Sequence, residues 1–546
     1  MSLPVQILAV VVLLGGLIFI HELGHFLTAK FFGVKVLKFS LGFGPKILGF
    51  RRGETEYRLS LLPLGGYVKM AGDDPSEDLS AEDRGRGFLE QKPWKRAAIA
   101  FAGPAMNLVF PLAAYFAVFA LQSESIAPHV GQVVPGMPAA EAGLRPGDRI
   151  VEVEGERIYA FTDLRRHVDP AAGRELQLVI ERAGQRQSLA ITPAPYTESD
   201  PIETVTVGKI GVAPNPAAPV IGLQRDGGAL FEAGLRSLDR IVSVDGASVG
   251  SVEEALAAFE AQAAEGAPFE VVALRDGAVP FGPIDFSVPE TLRVTVEPAA
   301  GEPLGVESAE LYVTRIAPGT PAAQAGLRRG DRLLAIDGSK LVSWDDVEKV
   351  QREKNDQPFT LAFTSGGEKR TATVAQQART ENDELRDRPI TVYTFGAYGG
   401  LPALPAPLVE VPFRPLQAFA MAFESSWEVA RKITLGIGMI VTGEIAFKNV
   451  GGPLQIYDIT TQAAEQGWEV FLHTMAMISI NLGLVNLFPV PVLDGGHIVQ
   501  AGVEAVRRKP LSLRAREITN AVGLAMLLTL MVFALKNDVV RYFFSG

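Results

Sequence analysis

Long apolar runs separate stretches of ordinary polar sequence along this chain. Four runs are long enough to cross about 30 Å of hydrocarbon as helices, and they cover approximately residues 3–26, 97–121, 470–490 and 521–535. The first run lacks the basic start and the small-residue cleavage site of a signal peptide, so we interpret it as an uncleaved membrane helix. A shorter, glycine-rich run at 433–443 predicts an interfacial or re-entrant segment.

Basic residues orient the predicted spans. Lys30, Lys35 and Lys38 follow the first span, and a basic cluster at 507–516 follows the third. Loops rich in Lys and Arg stay in the cytoplasm, so we expect both termini and the long region between the second and third spans to lie outside. In a bacterium that region is periplasmic. The sequence therefore predicts a multi-pass protein in the lipid bilayer of the bacterial inner membrane.

The long polar region repeats one pattern three times. Segments 131–158, 222–249 and 314–341 align without gaps. Their shared glycines recur at a spacing of roughly 90 residues, which is the size of a domain rather than of a solenoid repeat. Each copy predicts a short helix, an A-G-L-R turn, a strand and a tight D-G or E-G turn before the next strand.

The repeated pattern resembles PDZ domains of bacterial periplasmic proteases. The resemblance implies modules that bind extended peptides by strand addition and hold peptide C-termini in a backbone nest. The second copy has Ser237-Leu238 where the others have Pro-Gly or Arg-Gly, and it lacks the prolines found at Pro138 and Pro321. We expect it to be a degenerate, mainly structural copy. A spacer or steric filter is the alternative for all three copies.

The first apolar run ends in the motif H-E-x-x-H, formed by His21, Glu22 and His25. Helix positions i and i+4 share a face, so the two histidines can hold one metal ion, while the glutamate reaches a water beside the metal. Ionisable groups inside a membrane span are costly and mark a functional site by default. A catalytic zinc needs a third protein ligand and one open position.

Asp494 is the best candidate for the third ligand. It ends the stretch N-L-F-P-V-P-V-L-D, where two prolines interrupt an apolar run. Irregular backbone at membrane depth is tolerated only where it lines a site or cavity. The predicted orientation carries the first and third spans toward the same side, which brings Asp494 to the depth of the histidines. His497 is an alternative ligand, although its place after two glycines fits a packing role better. The remaining histidines are expected at the surface or the membrane interface: His129, His167 and His473.

These motifs together resemble the site-2 protease family of intramembrane zinc metalloproteases. The family pattern is H-E-x-x-H in a first span, N-x-x-P-x-P-x-x-D-G in a later span and PDZ domains between them. The stretches G-F-G-P, L-P-L-G-G-Y-V-K-M-A-G, F-A-G-P-A-M-N and G-G-P-L-Q-I also match. Close relatives in the family carry two PDZ copies, so the third copy here leaves open which one gates substrate entry.

The resemblance implies a role for each site residue. His21, His25 and Asp494 would hold Zn²⁺, with Glu22 as the catalytic base. Asn486 would hold the substrate backbone. A membrane-associated β-hairpin would offer its edge to the substrate strand around the residues Gly65, Gly66 and Tyr67.

The resemblance also implies the reaction and the partners. The reaction would be hydrolysis of a peptide bond within the transmembrane segment of a single-span protein, of the anti-sigma-factor or signal-peptide type. Another protease, acting in the periplasm, would already have trimmed the substrate. The PDZ copies would exclude substrates with bulky outer domains or recognise a new C-terminus.

The predicted fold is a multi-spanning α-helical membrane protein with a membrane-associated β-hairpin and three periplasmic α+β PDZ-like domains. The predicted segments are a first transmembrane helix (1–32), a re-entrant hairpin region (33–96), a second transmembrane helix (97–121), three PDZ-like domains (122–212, 213–303 and 304–385), a linker with interfacial helices (386–469), a third transmembrane helix (470–500), a cytoplasmic loop (501–518) and a fourth transmembrane helix (519–537).

The composition of the chain limits its possible partners and metal ligands, and two other functions make different predictions from a protease. The net charge is -11 and there is no long basic run, so nucleic acid is not an expected partner. The chain has no cysteine, which excludes thiolate catalysis and leaves only nitrogen and oxygen ligands for a metal, a set that favours zinc. A non-catalytic scaffold with a closed structural metal site would need a fourth protein ligand. A metal transporter would spread acidic and histidine residues along several spans.

Overall fold

The computed structural model describes residues 1–74, 79–80, 83–224, 227–281, 284–298 and 303–544. The chain forms two compact units. One combines Met1–Ser123 with Pro412–Gly546, and the other is Glu124–Val411. The first unit contains the apolar runs and the second contains the repeats.

The first unit begins with two long helices that flank a β-hairpin. The helices are apolar over most of their length, and each has a proline in its first turn, where no helical hydrogen bond is lost. The elements are α1 (Leu3–Phe31), β1 (Val36–Arg52), β2 (Thr55–Met70) and α2 (Pro93–Leu121).

The hairpin strands bend so that four segments lie side by side. Residues 36–41 pair on one side with 66–70 and on the other with 56–59, and residues 46–52 pair with 55–60. Gly42 permits the bend because its φ of 86° is strained for other residues. Segment 66–70 therefore forms an edge, with a strand partner on one side only among the described residues.

The second unit contains three repeats of one topology. In each repeat a short strand and a short helix precede an antiparallel sheet of four strands, whose second and third strands in chain order are joined by a longer helix. A closing strand then returns to pair with the first short strand. Each repeat has its own core, centred on the fully buried Ile180, Val271 or Leu361.

The bounds of these elements are as follows. The first repeat contains β4 (Gln132–Val133), α3 (Pro138–Glu141), β5 (Arg149–Val153), β6 (Glu156–Arg157), α4 (Phe161–Val168), β7 (Leu176–Arg182), β8 (Gln185–Ile191), β9 (Ala194–Ser199), β10 (Thr204–Lys209) and β11 (Val212–Ala213), and it follows β3 (Glu124–Ile126). The second contains β12 (Ile221–Leu223), α5 (Ala229–Glu232), β13 (Arg240–Val244), β14 (Ala247–Ser248), α6 (Val252–Glu265), β15 (Phe269–Phe281), β16 (Ile284–Val296) and β17 (Val306–Ser308). The third contains β18 (Arg315–Ile316), α7 (Pro321–Gln324), β19 (Arg332–Ile336), β20 (Ser339–Lys340), α8 (Trp344–Lys354), β21 (Phe359–Ser365), β22 (Glu368–Val374), β23 (Gln377–Asp383), β24 (Arg388–Thr394) and β25 (Ala397–Tyr398), and β26 (Leu408–Glu410) follows it and pairs with β3.

The closing strands lie beyond two boundaries expected from the sequence. β17 follows residue 303 and β25 follows residue 385, yet each pairs with the first strand of its own repeat. These strands are only two or three residues long, so they leave no alternation of polar and apolar residues to detect.

In the second repeat, Leu238 has a φ of 75° where Gly147 and Gly330 each have 89°. A leucine in this conformation is strained.

Five helices complete the first unit: α9 (Pro415–Thr442), α10 (Pro453–Gln466), α11 (Trp468–Asn486), α12 (Asp494–Arg507) and α13 (Leu513–Phe543). Among the described helices, α1, α2, α11 and α13 are long and apolar enough to span a membrane. The glycine-rich run at 433–443 is not a separate segment, because it falls almost wholly within the continuous helix α9. The predicted third transmembrane helix (470–500) is not one helix, since α11 ends at Asn486 before the two prolines and α12 begins at Asp494.

The first two repeats share a buried ion pair. Asp148 contacts Arg182 at 2.6 Å, and Asp239 contacts Arg275 at 2.7 Å. Each aspartate side chain is only 1% exposed. Removing one partner of such a pair leaves an uncompensated buried charge.

The third repeat has a serine where the others have the arginine. Asp331 lies opposite Ser365, one position beyond the pairing of Arg332 with Thr364. Burial raises the pKa of Asp331, and hydrogen bonds from Ser365 and the Arg328 backbone only partly offset this effect. Burial disfavours the ionised carboxyl only in the folded state. The free energy of unfolding therefore falls as the pH rises from about 4, where an ordinary carboxyl ionises, through the raised pKa of Asp331.

We therefore expect Ser365→Arg to stabilise the third repeat by about 1–2 kcal/mol at neutral pH, because a charge-assisted hydrogen bond from the arginine would replace the weaker one from the serine hydroxyl. The gain should shrink toward pH 4. Urea unfolding followed by fluorescence of Trp344, which is buried in this repeat, measures the change once the other tryptophans are replaced by Phe. An equal effect of Ser365→Arg at both pH values would contradict this explanation.

Candidate metal and active site

Two histidines of α1 face the same point in the helical bundle. His21 and His25 are one turn apart, and their Nε2 atoms lie 3.2 Å from each other. The two rings meet edge to face, with centroids 4.8 Å apart. Their side chains are only 12% and 11% exposed, so this pair of polar groups is largely shielded from solvent.

Asp494 completes the cluster as the first residue of α12. Its Oδ2 lies 3.1 Å from His21 Nε2, and its Oδ1 lies 3.4 Å from His25 Nε2. Gly495 and Gly496 let the helix start close to the preceding loop, since a Cβ at either position would collide with a backbone carbonyl of that loop. Val492, two residues before Asp494, has a φ of 83°. A β-branched residue rarely adopts this conformation, and strain of this kind is found at functional sites.

The cluster fits a tetrahedral zinc ion. Zinc binds imidazole nitrogen and carboxylate oxygen at about 2.0–2.1 Å, so tetrahedral ligands lie about 3.3 Å apart. The two Nε2 atoms are 3.2 Å apart, close to that edge, and each lies within 3.4 Å of one oxygen of the Asp494 carboxylate. His21, His25 and Asp494 are also the one set of three possible metal ligands found among the described residues. Three ligands leave one position open, as in catalytic rather than closed structural sites.

Helix α2 supports both histidines from behind. The Nδ1 of His25 lies 2.8 Å from the Ile99 carbonyl oxygen, which accepts its proton and leaves Nε2 free to bind a metal. A Cβ at Gly103 would collide with the His25 ring. Asn107, one turn further on and fully buried, lies 3.2 Å from His21 Nδ1. This role of α2 was missed in the sequence, where the signals were one asparagine inside an apolar span and its place at the end of the family stretch F-A-G-P-A-M-N.

All eight site residues predicted from the sequence line one cavity of about 690 Å³. The cluster forms part of its wall, and five further predicted residues do so too: Glu22, Gly65, Gly66, Tyr67 and Asn486. His497 also lines the cavity but is outside the ligand cluster. His473 packs against Tyr115, with ring centroids 5.2 Å apart.

The hairpin edge approaches α1 at Gly66. A Cβ there would lie 2.8 Å from Ile18 Cγ2 and 3.0 Å from Glu22 Cγ. The 2.8 Å contact is closer than real Cβ atoms come, so a larger residue would have to displace the edge strand or the α1 side chains beside it. Gly65 has a φ of 125°, and a Cβ there would collide with the Phe43 ring. The cavity thus has the metal-ligand cluster on one wall and an open strand edge on another.

A membrane helical bundle with this cluster, and with a glutamate beside it, has the arrangement of a membrane metalloprotease. The chain matches the model of peptidase family M50 over residues 9–530. It belongs to that family, which comprises the site-2 proteases.

Similar proteins match almost end to end. The chain is 30% identical over 532 residues to a Neisseria meningitidis serogroup A protein named "Putative zinc metalloprotease", with 96% of each chain covered. It is 29% identical over 538 residues to the regulator of sigma-E protease RseP of Escherichia coli K12, with 97% of this chain and 97% of the relative covered. A solved PDZ domain of an SdrC-like protein from Listeria monocytogenes covers 17% of this chain and 87% of its own, at 18% identity and a TM-score of 0.13. At that score the likeness is no measure of the fold of the repeats.

We expect Gly66→Val to lower proteolytic activity by at least about tenfold, because displacing a bound group by 1 Å can cost about a hundredfold in rate. The valine must push the edge strand away from Glu22. Gly15→Ala in α1 is the control, since its added Cβ would meet nothing within 4 Å. Cleavage of a single-span reporter in membranes, with matched protein levels, measures both variants. Full activity of Gly66→Val would show that the close approach is not needed.

Proposed function

We propose that this chain is a zinc-dependent intramembrane endopeptidase in which His21, His25 and Asp494 hold the metal. The observation that carries the proposal is the convergence of these three side chains, close enough to share one metal ion, in a cavity that Glu22 also lines. Bound zinc would polarise the scissile carbonyl and lower the pKa of a water to about 7.

Glu22 is the general base in this mechanism. It lies between the two histidines in the H-E-x-x-H turn, lines the cavity and is not a member of the ligand cluster. Its carboxylate takes a proton from the attacking water and later delivers it to the leaving amine.

The hairpin edge and Asn486 hold the substrate in an extended form. A helical peptide bond is enclosed by its own hydrogen bonds, so a transmembrane substrate has to unwind before it is cut. Segment 66–70 provides backbone groups at a strand edge, and strand addition would replace the lost helical bonds. Asn486 ends α11 on the same cavity and supplies a side-chain amide for the substrate backbone.

The substrates we propose are single-span membrane proteins that a periplasmic protease has already trimmed. The Escherichia coli relative is named regulator of sigma-E protease, which favours the anti-sigma-factor type, and leftover signal peptides have the same chemistry. The site would lie in the inner membrane, with three PDZ-like domains in the periplasm. The distribution of basic residues and the shared topology of the repeats support this arrangement.

We expect Glu22→Gln to lower cleavage of a single-span reporter by about 10²–10⁴-fold, the usual contribution of a general base. The variant should keep zinc, because Glu22 is not a ligand. Glu54→Gln is the control, since Glu54 pairs with Lys30 and Arg86 at the hairpin turn. Cleavage and metal content are measured on the same membranes. Equal cleavage by wild type and Glu22→Gln, with zinc in both, would refute the catalytic role.

We also propose that the third repeat binds a peptide. A cavity of about 430 Å³ lies between α8 on one side and the end of β24 and the closing strand β25 on the other. Its lining includes Gln351 and Arg352 on the helix and Ala397 on the strand. A helix facing a strand across an open groove is the geometry for strand addition, and a free peptide C-terminus is the ligand that PDZ modules take.

We expect Arg352→Glu to weaken binding of a peptide with a free C-terminal carboxylate by about fivefold, the value of one exposed ion pair. Lys349→Glu is the matched control, because it makes the same charge change on α8 at a residue outside the cavity lining. Fluorescence anisotropy of a labelled peptide with the full chain in nanodiscs gives the affinities. Equal loss in both variants would point to general electrostatics instead of this groove.

A further inference from the structure

Asn107 presents an unusual hydrogen-bonding problem in the middle of α2. Its side chain is fully buried between apolar helices. Its Nδ2 is placed 3.2 Å from His21 Nδ1, while its Oδ1 is buried and has no hydrogen-bond partner among the described residues. An unsatisfied buried amide oxygen costs about 1–3 kcal/mol, so this arrangement needs an explanation.

The placement of the amide also conflicts with metal binding by His21. If Nδ2 donates to His21 Nδ1, that nitrogen uses its lone pair, and the neutral imidazole must carry its proton on Nε2. Nε2 is the atom that faces His25 and Asp494. A protonated Nε2 has no lone pair for a metal. The oxygen and nitrogen of an asparagine amide have nearly the same shape, so their assignment depends on the hydrogen bonds they make.

We propose that the Asn107 amide is turned so that Oδ1 accepts the Nδ1 proton of His21, which makes Asn107 a positioning residue for the metal site. One rotation of the amide then gives Oδ1 a donor and frees His21 Nε2 to bind the metal, while Nδ2 takes the buried position in which Oδ1 had no partner among the described residues. The Ile99 carbonyl does the same for His25 at 2.8 Å. Helix α2 thus sets the tautomer of both histidine ligands.

The neighbouring contacts hold Asn107 in place. Ser479 of α11 donates its hydroxyl to the Asn107 backbone carbonyl at 2.8 Å. This bond ties α2 to α11 but does not involve the side-chain amide. Partners of metal-bound histidines typically contribute 10- to 100-fold to metal affinity. The inference rests on the proposed zinc site and adds one specific acceptor to it.

Two substitutions at position 107 test whether the side chain acts on His21 as a hydrogen-bond acceptor or as a donor. Asn107→Asp keeps an oxygen acceptor and removes the amide donor, whereas Asn107→Leu has a similar volume and neither group. We expect Asn107→Leu to lose zinc to a competing chelator at about 10- to 100-fold lower chelator concentration than wild type. Asn107→Asp should stay within about threefold of wild type, because a carboxylate is an established partner for a zinc-bound histidine.

The measurement is zinc retention by the purified full chain during chelator titration. Ser479→Ala is the control for damage to the α2–α11 contact and should retain zinc like wild type. Size-exclusion chromatography excludes misfolded samples. If Asn107→Asp loses zinc as easily as Asn107→Leu, the acceptor role is wrong. It is also wrong if Asn107→Leu retains zinc as well as the wild type does.

The same titration distinguishes this inference from the proposed function. His21→Ala should abolish tight zinc binding if the cluster is the metal site. Equal retention by His21→Ala and wild type would refute the site itself. A clear loss in His21→Ala together with no loss in Asn107→Leu would refute only the positioning role.

Discussion

The close approach of α1 and α2 is the contact on which the metal-ligand cluster depends. A Cβ at Gly24 would collide with the Ala102 carbonyl, and a Cβ at Gly103 would collide with the ring of His25. Because both positions are glycine, the helices come near enough for α2 to contact the back of both imidazoles. Small residues serve this purpose between membrane helices, where burial in lipid gives no hydrophobic drive to pack.

The third side chain of the cluster, Asp494, is positioned by a second, polar contact. Glu504 of α12 is 3% exposed and pairs with Arg96 of α2 and, at 2.6 Å, with Arg516 of α13. The backbone N–H of Leu511 donates to the same carboxylate. A buried carboxylate with this many partners fixes the orientation of its helix, since each donor would be left unpaired if the helix rotated. α12 therefore presents Asp494 to the histidines from a fixed position.

The sequence predicted which side chains converge better than it predicted their surroundings. His21 and His25 followed from helical spacing, and Asp494 followed from the depth of a proline-broken span. The hairpin edge at Gly66 needed a family resemblance, because a glycine-rich stretch does not reveal that it lies against a helix. Asn107 was missed because a single polar residue does not show which histidine it faces. The closing strands were missed because two or three residues carry no periodicity.

The central claim is that two imidazoles and one carboxylate of this chain bind a single zinc ion. X-ray absorption at the zinc edge of the purified, zinc-loaded full chain tests it most directly. The account predicts a four-coordinate site with two histidine ligands and the remaining ligands oxygen, all at about 2.0–2.1 Å. Asp494→Ala should lose one oxygen ligand or the zinc. A third histidine in the wild-type spectrum, or a spectrum unchanged in Asp494→Ala, would contradict the account.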